Sequence, residues 1–179
     1  SDAMAYLLYT SGSSGTPKGV MQSQRNVLRH IRAYTNSLRI TSSDALSMFA
    51  SYSFDAAVMD IFGALLNGAC LIPIDLRNEH PAAQAQRLSK VTILHATPTV
   101  FRHLLSSVNR PAVFAQVRMV VLGGEPVTWS DAALYRQFFD EHCCLVNGLG
   151  PSESTLALQY FVDSASVPTG ALVPVGFPV

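Results

Sequence analysis

A run of small and hydroxyl residues near the beginning of the chain sets its architecture. Residues 9–19 read Tyr9-Thr10-Ser11-Gly12-Ser13-Ser14-Gly15-Thr16-Pro17-Lys18-Gly19. The apolar residues 6–10 before the loop are typical of a strand, and the glycines and hydroxyls let backbone amides approach a polyphosphate. Lys18, one of only two lysines, adds a mobile positive charge. The run therefore predicts a phosphate-binding loop after a strand, and a plain Gly/Ser linker is the alternative.

This loop differs from the phosphate loop of the common nucleotide triphosphatases. That pattern needs Gly, Lys and Ser or Thr in direct succession. Here Thr16 and Pro17 separate Gly15 from Lys18, and Gly19 stands where the metal-binding hydroxyl would be.

Downstream of the loop, short apolar runs alternate with segments of helical periodicity. Strands are predicted for residues 45–50, 69–74, 92–96, 117–122 and 143–147, with residues 155–162 extended. Helices are predicted after Ser23, over 55–67, 81–88 and 98–105, and from Thr128 or Ser130 to about 141. This alternation predicts one α/β subdomain over residues 1–179, with a mostly parallel sheet and helices on both faces. Its ligands are expected at the carboxyl ends of the strands.

Composition narrows the class of protein. The chain has 179 residues, of which 49% are hydrophobic and 13% charged, against about 25% charged in an average soluble protein. Its 12 basic and 12 acidic residues cancel, so we expect no nucleic-acid partner. The longest apolar stretch, residues 56–74, contains Asp60 and Pro73, which favours a buried helix and strand over a membrane span.

The three cysteines are Cys70, Cys143 and Cys144. They lack metal-ligand spacing, and the adjacent pair could form a disulfide only with strain. We expect buried thiols in the cytoplasm.

Residues 9–19 resemble the phosphate loop of adenylate-forming enzymes, a superfamily of acyl-CoA ligases, luciferases and the adenylation domains of non-ribosomal peptide synthetases. Two further segments agree with the peptide synthetases in order and approximate spacing. Phe54-Asp55-Ala56-Ala57 resembles the segment that holds the amino acid, and Asn147-Gly148-Leu149-Gly150-Pro151-Ser152-Glu153 resembles their Asn-x-Tyr-Gly-Pro-Thr-Glu motif. The chain is thus identified as the central fragment of such a domain, with a flavodoxin-like three-layer fold.

The resemblance implies a two-step reaction. A carboxylate attacks the α-phosphate of ATP to give an acyl-adenylate, and the acyl group passes to the phosphopantetheine thiol of a carrier protein. Lys18, Ser152 and Glu153 would be catalytic, with Ser152 on the α-phosphate and Glu153 on Mg²⁺. The phosphate cradle would be Thr10, Ser11, Gly12, Ser13, Ser14, Gly15 and Lys18. The rest of the nucleotide site would be Gly124, Glu125, Pro126, Asn147, Gly148, Leu149, Gly150, Pro151 and Ser152.

The resemblance also implies a substrate pocket, lined by Asp55, Ala56, Met59, His95, Val121, Gly123, Gly148, Leu156 and Ala157. A carboxylate such as Asp55 pairs with the α-ammonium of an amino acid, although an Asp at a helix N-terminus is also favoured by the helix dipole. Two glycines are expected to leave room for a medium-to-large, largely uncharged side chain. His95 either reads that side chain or is a half-buried histidine with its own partner.

One position departs from the family pattern. Leu149 stands where these domains usually carry an aromatic residue beside the adenine. A leucine covers an apolar ring face but loses the aromatic stacking.

Several parts of a complete family member have no counterpart in these residues. The ribose-binding Asp, the hinge and the C-terminal lid domain with its catalytic lysine are not matched, and Lys90 has no fitting context. We therefore expect the remainder of the adenylation domain as a partner, and no measurable adenylation by residues 1–179 alone.

Two other functions stay open at the level of sequence. The first is a ligase that activates a carboxylic acid without an amino group and loads coenzyme A or a carrier. The second is a catalytically silent nucleotide-binding or interaction module of the same fold.

Overall fold

The computed structural model describes residues 1–11, 15–108, 110–163, 166–168 and 170–179. Its first element is a hairpin in which β1 (Met4–Thr10) pairs antiparallel with β2 (Lys18–Ser23), bringing Thr10 opposite Lys18. β1 is predicted from the sequence, whereas β2 is not. The hairpin holds the two ends of the predicted phosphate loop side by side.

The hairpin leads directly into α1 (Gln24–Leu38), as the sequence predicts. The side chain of Ser23 caps this helix by accepting a hydrogen bond from the backbone N–H of Asn26 at 3.2 Å. Such a cap satisfies one of the N–H groups that a helix start leaves without a partner. The buried residues are those of the predicted apolar face, namely Val27, Ile31, Tyr34 and Leu38.

Within the described ranges the main sheet has seven strands. These are β3 (Ala45–Met48), β4 (Cys70–Pro73), β5 (Ile93–Ala96), β6 (Met119–Gly123), β7 (Cys144–Leu149), β8 (Leu158–Val162) and β9 (Phe177–Pro178). Their order is β4-β3-β5-β6-β7-β8-β9. The first five are parallel, and β8 and β9 are antiparallel additions at one edge.

The remaining helices are α2 (Ala56–Leu65), α3 (Pro81–Leu88), α4 (Pro98–Val108) and α5 (Trp129–Phe138), with a 3₁₀ turn at Pro111–Phe114. Side chains of β6 alternate between the two faces of the sheet. Val120 and Leu122 join the core that includes residues of α3, α4 and α5, whereas Met119 and Val121 join the core beneath α1 and α2. The predicted α/β class, with helices on both faces, is confirmed.

The packing of α2 depends on its small residues. Leu65 is 62% exposed, while the small residues Gly63 and Ala64 are buried. Gly63 lies against the ring of Tyr34, where an added Cβ would stand 3.3 Å from a ring carbon. Because these two residues are small, α2 approaches its neighbours closely.

Two strands also differ from the sequence prediction. β7 continues through Gly148 and Leu149, beyond the predicted end of the strand at residue 147. β4 is an edge strand and not a fully buried one, because only β3 pairs with it in the described part of the chain. None of the helices in the described ranges combines the length and apolarity that crossing a bilayer requires.

Candidate active site

The predicted site residues gather at the edge of the sheet where the parallel strands end. His95 of β5 is in register with Val121 of β6, and Gly123 of β6 with Gly148 of β7. The loop after β3 delivers Asp55 to the same edge, at the N-terminus of α2. Loops at the carboxyl ends of parallel strands are where such sheets bind ligands.

A hydrogen bond joins two of the three predicted motifs. The Ser152 hydroxyl donates to Oδ2 of Asp55 at 2.7 Å. Tyr6 of β1 lies beside this pair; burial raises the pKa of Tyr6, the hydrogen bond with Thr155 opposes the rise, and the charge of Asp55 adds to it. Ser152 and Asp55 are both partly buried. The residue predicted to contact the α-phosphate is therefore in contact with the residue predicted to hold the ammonium group.

Ser152 and Glu153 lie on a tight turn. The backbone N–H groups of Ser154 and Thr155 both donate to the carbonyl of Pro151, at 2.9 and 2.8 Å. Thr155 has a φ of 64°, a left-handed conformation that is unusual for a β-branched residue. A Cβ on Gly150 would stand 2.1 Å from the carbonyl oxygen of Thr155. Only glycine therefore allows the turn to close in this form.

The two charged groups predicted to meet the phosphates have no partner in the described part of the chain. Lys18 and Glu153 are exposed, and neither side chain forms an ion pair or hydrogen bond with a described residue. A single free carboxylate suits Mg²⁺, which binds through one or two carboxylates together with phosphate oxygens and water. The described residues contain no group of three His, Cys, Asp or Glu able to hold a metal without such help.

The centre of the predicted phosphate cradle, Gly12, Ser13 and Ser14, lies outside the described residues. Its flanks are described: Thr10 ends β1, Ser11 is exposed, and Gly15 has a φ of 79° with open space around its Cα. This conformation favours glycine.

The predicted adenine-site residues lie at the ends of β6 and β7. Oε2 of Glu125 accepts hydrogen bonds from the Thr99 hydroxyl at 2.6 Å and from its backbone N–H at 3.1 Å. The hydroxyl bond is the main reason why the pKa of Glu125 is lowered. Gly124, Pro126 and Gly150 lie in the adjoining loops, and Leu149 is 47% exposed.

Asn147 has a structural contact that the motif did not indicate. Its side-chain amide donates to the carbonyls of Val173 and Pro174, at 3.2 and 2.9 Å. Asn147 is only 4% exposed. Its two N–H donors therefore hold the C-terminal segment against β7, which leaves its carbonyl oxygen for other partners.

The apolar part of the predicted pocket is tightly packed. Met59, Val121 and Leu156 are buried in one core cluster. The two glycines do not leave room, contrary to the expectation from sequence. A Cβ on Gly123 would stand 2.9 Å from the carbonyl oxygen of Gly148, and one on Gly148 would stand 2.9 Å from a methyl carbon of Leu156. They permit close approach of backbone and side chain instead. Ala56 and Ala157 are partly buried beside them.

His95 has a buried partner that the sequence analysis did not identify. Its Nδ1 lies 2.7 Å from Oδ1 of Asp60, and the two side chains are 6% and 1% exposed. Burial opposes protonation of the imidazole, but the charge of Asp60 and this hydrogen bond raise the pKa of His95. Burial raises the pKa of Asp60. Asp60 could have been recognised from the sequence, because a carboxylate inside the apolar helix α2 requires a polar partner.

Comparisons with known proteins identify the family of the chain. A family model described as AMP-binding enzyme matches residues 1–179. Malformin synthetase of Aspergillus brasiliensis is 37% identical over 170 residues, which is 94% of this chain and 3% of that protein. The chain belongs to the AMP-binding enzyme family.

Solved structures give the same result for the fold. The N-terminal subdomain of Klebsiella oxytoca NpsA, in complex with 3-hydroxybenzoyl-AMSN, is 30% identical with a TM-score of 0.81, over 99% of this chain and 43% of that one. The non-ribosomal peptide synthetase FmoA3, in its α-methyl-L-serine-AMP-bound form, is 26% identical with a TM-score of 0.86, over 99% of this chain and 20% of that one. The resemblance to an adenylation-domain fragment is confirmed. The chain spans a small part of the synthetases that it matches.

Proposed function

We propose that residues 1–179 form the central part of the large N-terminal core of an amino-acid-activating adenylation domain. The single observation that carries the proposal is Asp55, a carboxylate at the carboxyl edge of the sheet in hydrogen-bond contact with Ser152. A carboxylate in a partly buried pocket is complementary to an α-ammonium group. In the reaction the amino-acid carboxylate attacks the α-phosphate of ATP, which gives an aminoacyl-adenylate and releases pyrophosphate. The aminoacyl group then passes to a phosphopantetheine thiol on a carrier-protein domain, and AMP is released.

Four polar side chains each have one task in this scheme. Asp55 binds the ammonium group and so orients the substrate carboxylate toward the α-phosphate. Ser152, released from Asp55 when the ammonium binds, donates its hydroxyl to an α-phosphate oxygen. Lys18, at the mouth of the hairpin, stabilises negative charge on the phosphates. Glu153 would hold Mg²⁺, and the ion would supply positive charge that neutralises the phosphates.

The exposed apolar surface supports a larger domain as the setting. Met4 of the hairpin, Leu28 of α1 and Leu66 after α2 line one surface groove and are 61%, 53% and 51% exposed. Large apolar side chains clustered on one surface usually mark a contact with another protein segment. The remainder of the adenylation core is the partner that fits this surface.

The unpaired thiols of Cys70, Cys143 and Cys144 support a cytoplasmic location.

A second candidate is a ligase for a carboxylic acid that has no amino group. It is favoured by the likeness to NpsA, whose subdomain was solved with a 3-hydroxybenzoyl compound. That acyl group carries no ammonium for a carboxylate such as Asp55 to bind.

The deciding experiment uses the full-length protein that contains this chain. ATP–pyrophosphate exchange is measured with a panel of amino acids and aryl acids, and the acyl-adenylate is identified by mass spectrometry. We expect an amino-acid substrate, and we expect Asp55→Ala to abolish most of its exchange. Asp75→Ala, which removes an exposed carboxylate from a turn, is the matched control and keeps the activity.

The other outcomes distinguish the alternatives. Preference for an aryl or fatty acid that survives Asp55→Ala would establish the second candidate. Binding of Mg·ATP without any adenylate would indicate the silent module. Robust exchange by residues 1–179 alone would contradict the proposal that the site is completed by further parts of the domain.

A further inference from the structure

Gln22 makes a contact that none of the three motifs includes. It lies near the end of β2 and is 6% exposed. Its Nε2 donates a hydrogen bond to the backbone carbonyl of Glu153 at 2.7 Å, across 131 residues of sequence, with a longer contact of 3.5 Å to the carbonyl of Ser152. Its Oε1 accepts from Nδ2 of Asn26 at 3.0 Å. Both ends of the Gln22 amide are therefore held by named partners.

This contact joins two parts of the candidate nucleotide site that no strand pairing connects. The hairpin of β1 and β2 carries the phosphate loop and Lys18, but it is hydrogen-bonded as a sheet only to itself in the described residues. Two paired strands alone are marginally stable. The position of the hairpin relative to Glu153 therefore depends on side-chain contacts such as that of Gln22.

The choice of main-chain acceptors matters for the chemistry. Gln22 fixes the Ser152–Glu153 backbone and makes no contact with the Glu153 carboxylate, so that carboxylate stays available to a ligand. A group that acts on a site through its backbone sets geometry without taking up a functional oxygen.

We propose that Gln22 is a positioning residue that sets the separation between the phosphate loop and the Mg²⁺-binding carboxylate of Glu153. The inference rests on the proposed nucleotide function, and it concerns binding of Mg·ATP and not recognition of the carboxylic acid. Asn26 completes the arrangement, because it orients the Gln22 amide with its nitrogen toward Glu153.

The chain offers a closely matched control in Gln84. This glutamine is also 6% exposed, and its Nε2 also donates to two backbone carbonyls, those of Asp75 at 3.2 Å and Glu79 at 3.0 Å. Gln84 lies on α3, which packs on the other face of the sheet from α1 and α2. Gln22→Leu and Gln84→Leu therefore remove equivalent buried hydrogen bonds at different places.

The test measures exchange by the full-length protein as a function of ATP, Mg²⁺ and the acid identified by the panel. Since a lost buried hydrogen bond costs about a factor of five to ten in an equilibrium, we expect Gln22→Leu to raise the KM for ATP and the half-saturating Mg²⁺ concentration by roughly that factor. The KM of Gln22→Leu for the acid should change less than about twofold. In Gln84→Leu, the KM for ATP, the half-saturating Mg²⁺ concentration and the KM for the acid should all change less than about twofold. Equal effects of the two variants, or an equal rise in both KM values of Gln22→Leu, would overturn the proposal.

Two additions keep the test decisive. Gln22→Met preserves the linear shape of the side chain but removes the N–H donor, and it answers the question by the same criteria where Gln22→Leu does not fold. If the wild-type protein forms no adenylate, the proposed function fails separately. Calorimetric affinity for Mg·ATP then decides on Gln22, which is supported by weaker binding in Gln22→Leu than in Gln84→Leu and overturned by equal binding.

Discussion

The Ser152 hydroxyl donates a hydrogen bond to Oδ2 of Asp55 across 2.7 Å and 97 residues of sequence. One oxygen of the carboxylate predicted to hold an ammonium group thus accepts a hydrogen bond from the hydroxyl predicted to contact a phosphate. In the proposed function, an ammonium group that takes Oδ2 of Asp55 would compete with Ser152 and set its hydroxyl free. The two half-sites are coupled through this one bond.

This coupling predicts a separation of kinetic constants in Ser152→Ala. We expect kcat for adenylate formation to fall roughly 10- to 100-fold, because a hydroxyl donor to the transition state is lost. The KM for the amino acid should stay the same or decrease, because Asp55 no longer has a competing partner. Steady-state exchange kinetics on the full-length protein measure both constants. Ser152→Thr keeps the hydroxyl and should retain most activity, whereas an increased KM with unchanged kcat in Ser152→Ala would contradict the coupling.

The turn that carries Glu153 predicts a strong requirement for glycine at position 150. In Gly150→Ala the new Cβ would stand 2.1 Å from a backbone oxygen, so the turn has to rearrange. We expect a loss of roughly 2–3 kcal/mol in unfolding free energy, measured by denaturant unfolding, together with loss of exchange activity. Gly170→Ala is the control, since no atom lies within 4 Å of its added Cβ. Equal stability of the two variants would show that the turn is not tightly closed.

The buried pair of Asp60 and His95 predicts non-additive effects on stability. Asp60→Leu leaves His95 buried without a partner, and removing one member of a buried pair costs about 3–5 kcal/mol. In the double variant Asp60→Leu, His95→Leu both polar groups are replaced by apolar ones, and most of this loss should be recovered. A double-mutant cycle by denaturant unfolding gives the coupling. Additive losses would mean that the 2.7 Å contact contributes nothing to stability.

Arg118 and Asp44 predict how stability changes in acid. Burial would raise the pKa of Asp44, but hydrogen bonds from Arg118, Thr41 and Thr92 outweigh it and lower the pKa from 3.8 to about 2. A carboxyl whose pKa is lowered on folding stabilises the protein at pH values above its pKa in the unfolded state. That contribution, about 2 kcal/mol, is lost as the pH falls from about 4 to about 2.

The measurement is urea unfolding at pH 5 and pH 2.5. Arg118→Met should reduce the difference in stability between these two values, and it should also destabilise at neutral pH because Arg118 donates to the carbonyls of Leu38 and Arg39. Arg25→Met breaks an exposed ion pair with Asp2, whose side chains are 69% and 74% exposed. Exposed pairs contribute little, so this control should keep the acid dependence of the wild type. Equal acid dependence in all three proteins would contradict the assignment to Asp44.

Local features of the sequence were sufficient for most of the elements. Periodicity together with the Ser23 cap predicted α1 and its four buried residues. The alternation of strands and helices predicted the parallel sheet, and the position of motifs after strands predicted the edge where ligands bind. These properties depend on spacing within a few residues, which is why they can be read without tertiary structure.

The exceptions arose where packing outweighs local pattern. β2 was missed because its neighbours read as a loop and a helix cap, and its pairing depends on β1 across the phosphate loop. The glycines at 123 and 148 were expected to leave space, yet each is in close contact with atoms of a neighbouring segment.

Sequence alone therefore sufficed for the class of protein and for the order of most of the elements. Tertiary structure was needed to show three hydrogen bonds: that of Ser152 to Asp55, that between Asp60 and His95, and that of Gln22 to the backbone of Glu153. These contacts span 97, 35 and 131 residues. Such pairs meet only after whole elements pack together, because nothing in the local pattern of either residue specifies its partner.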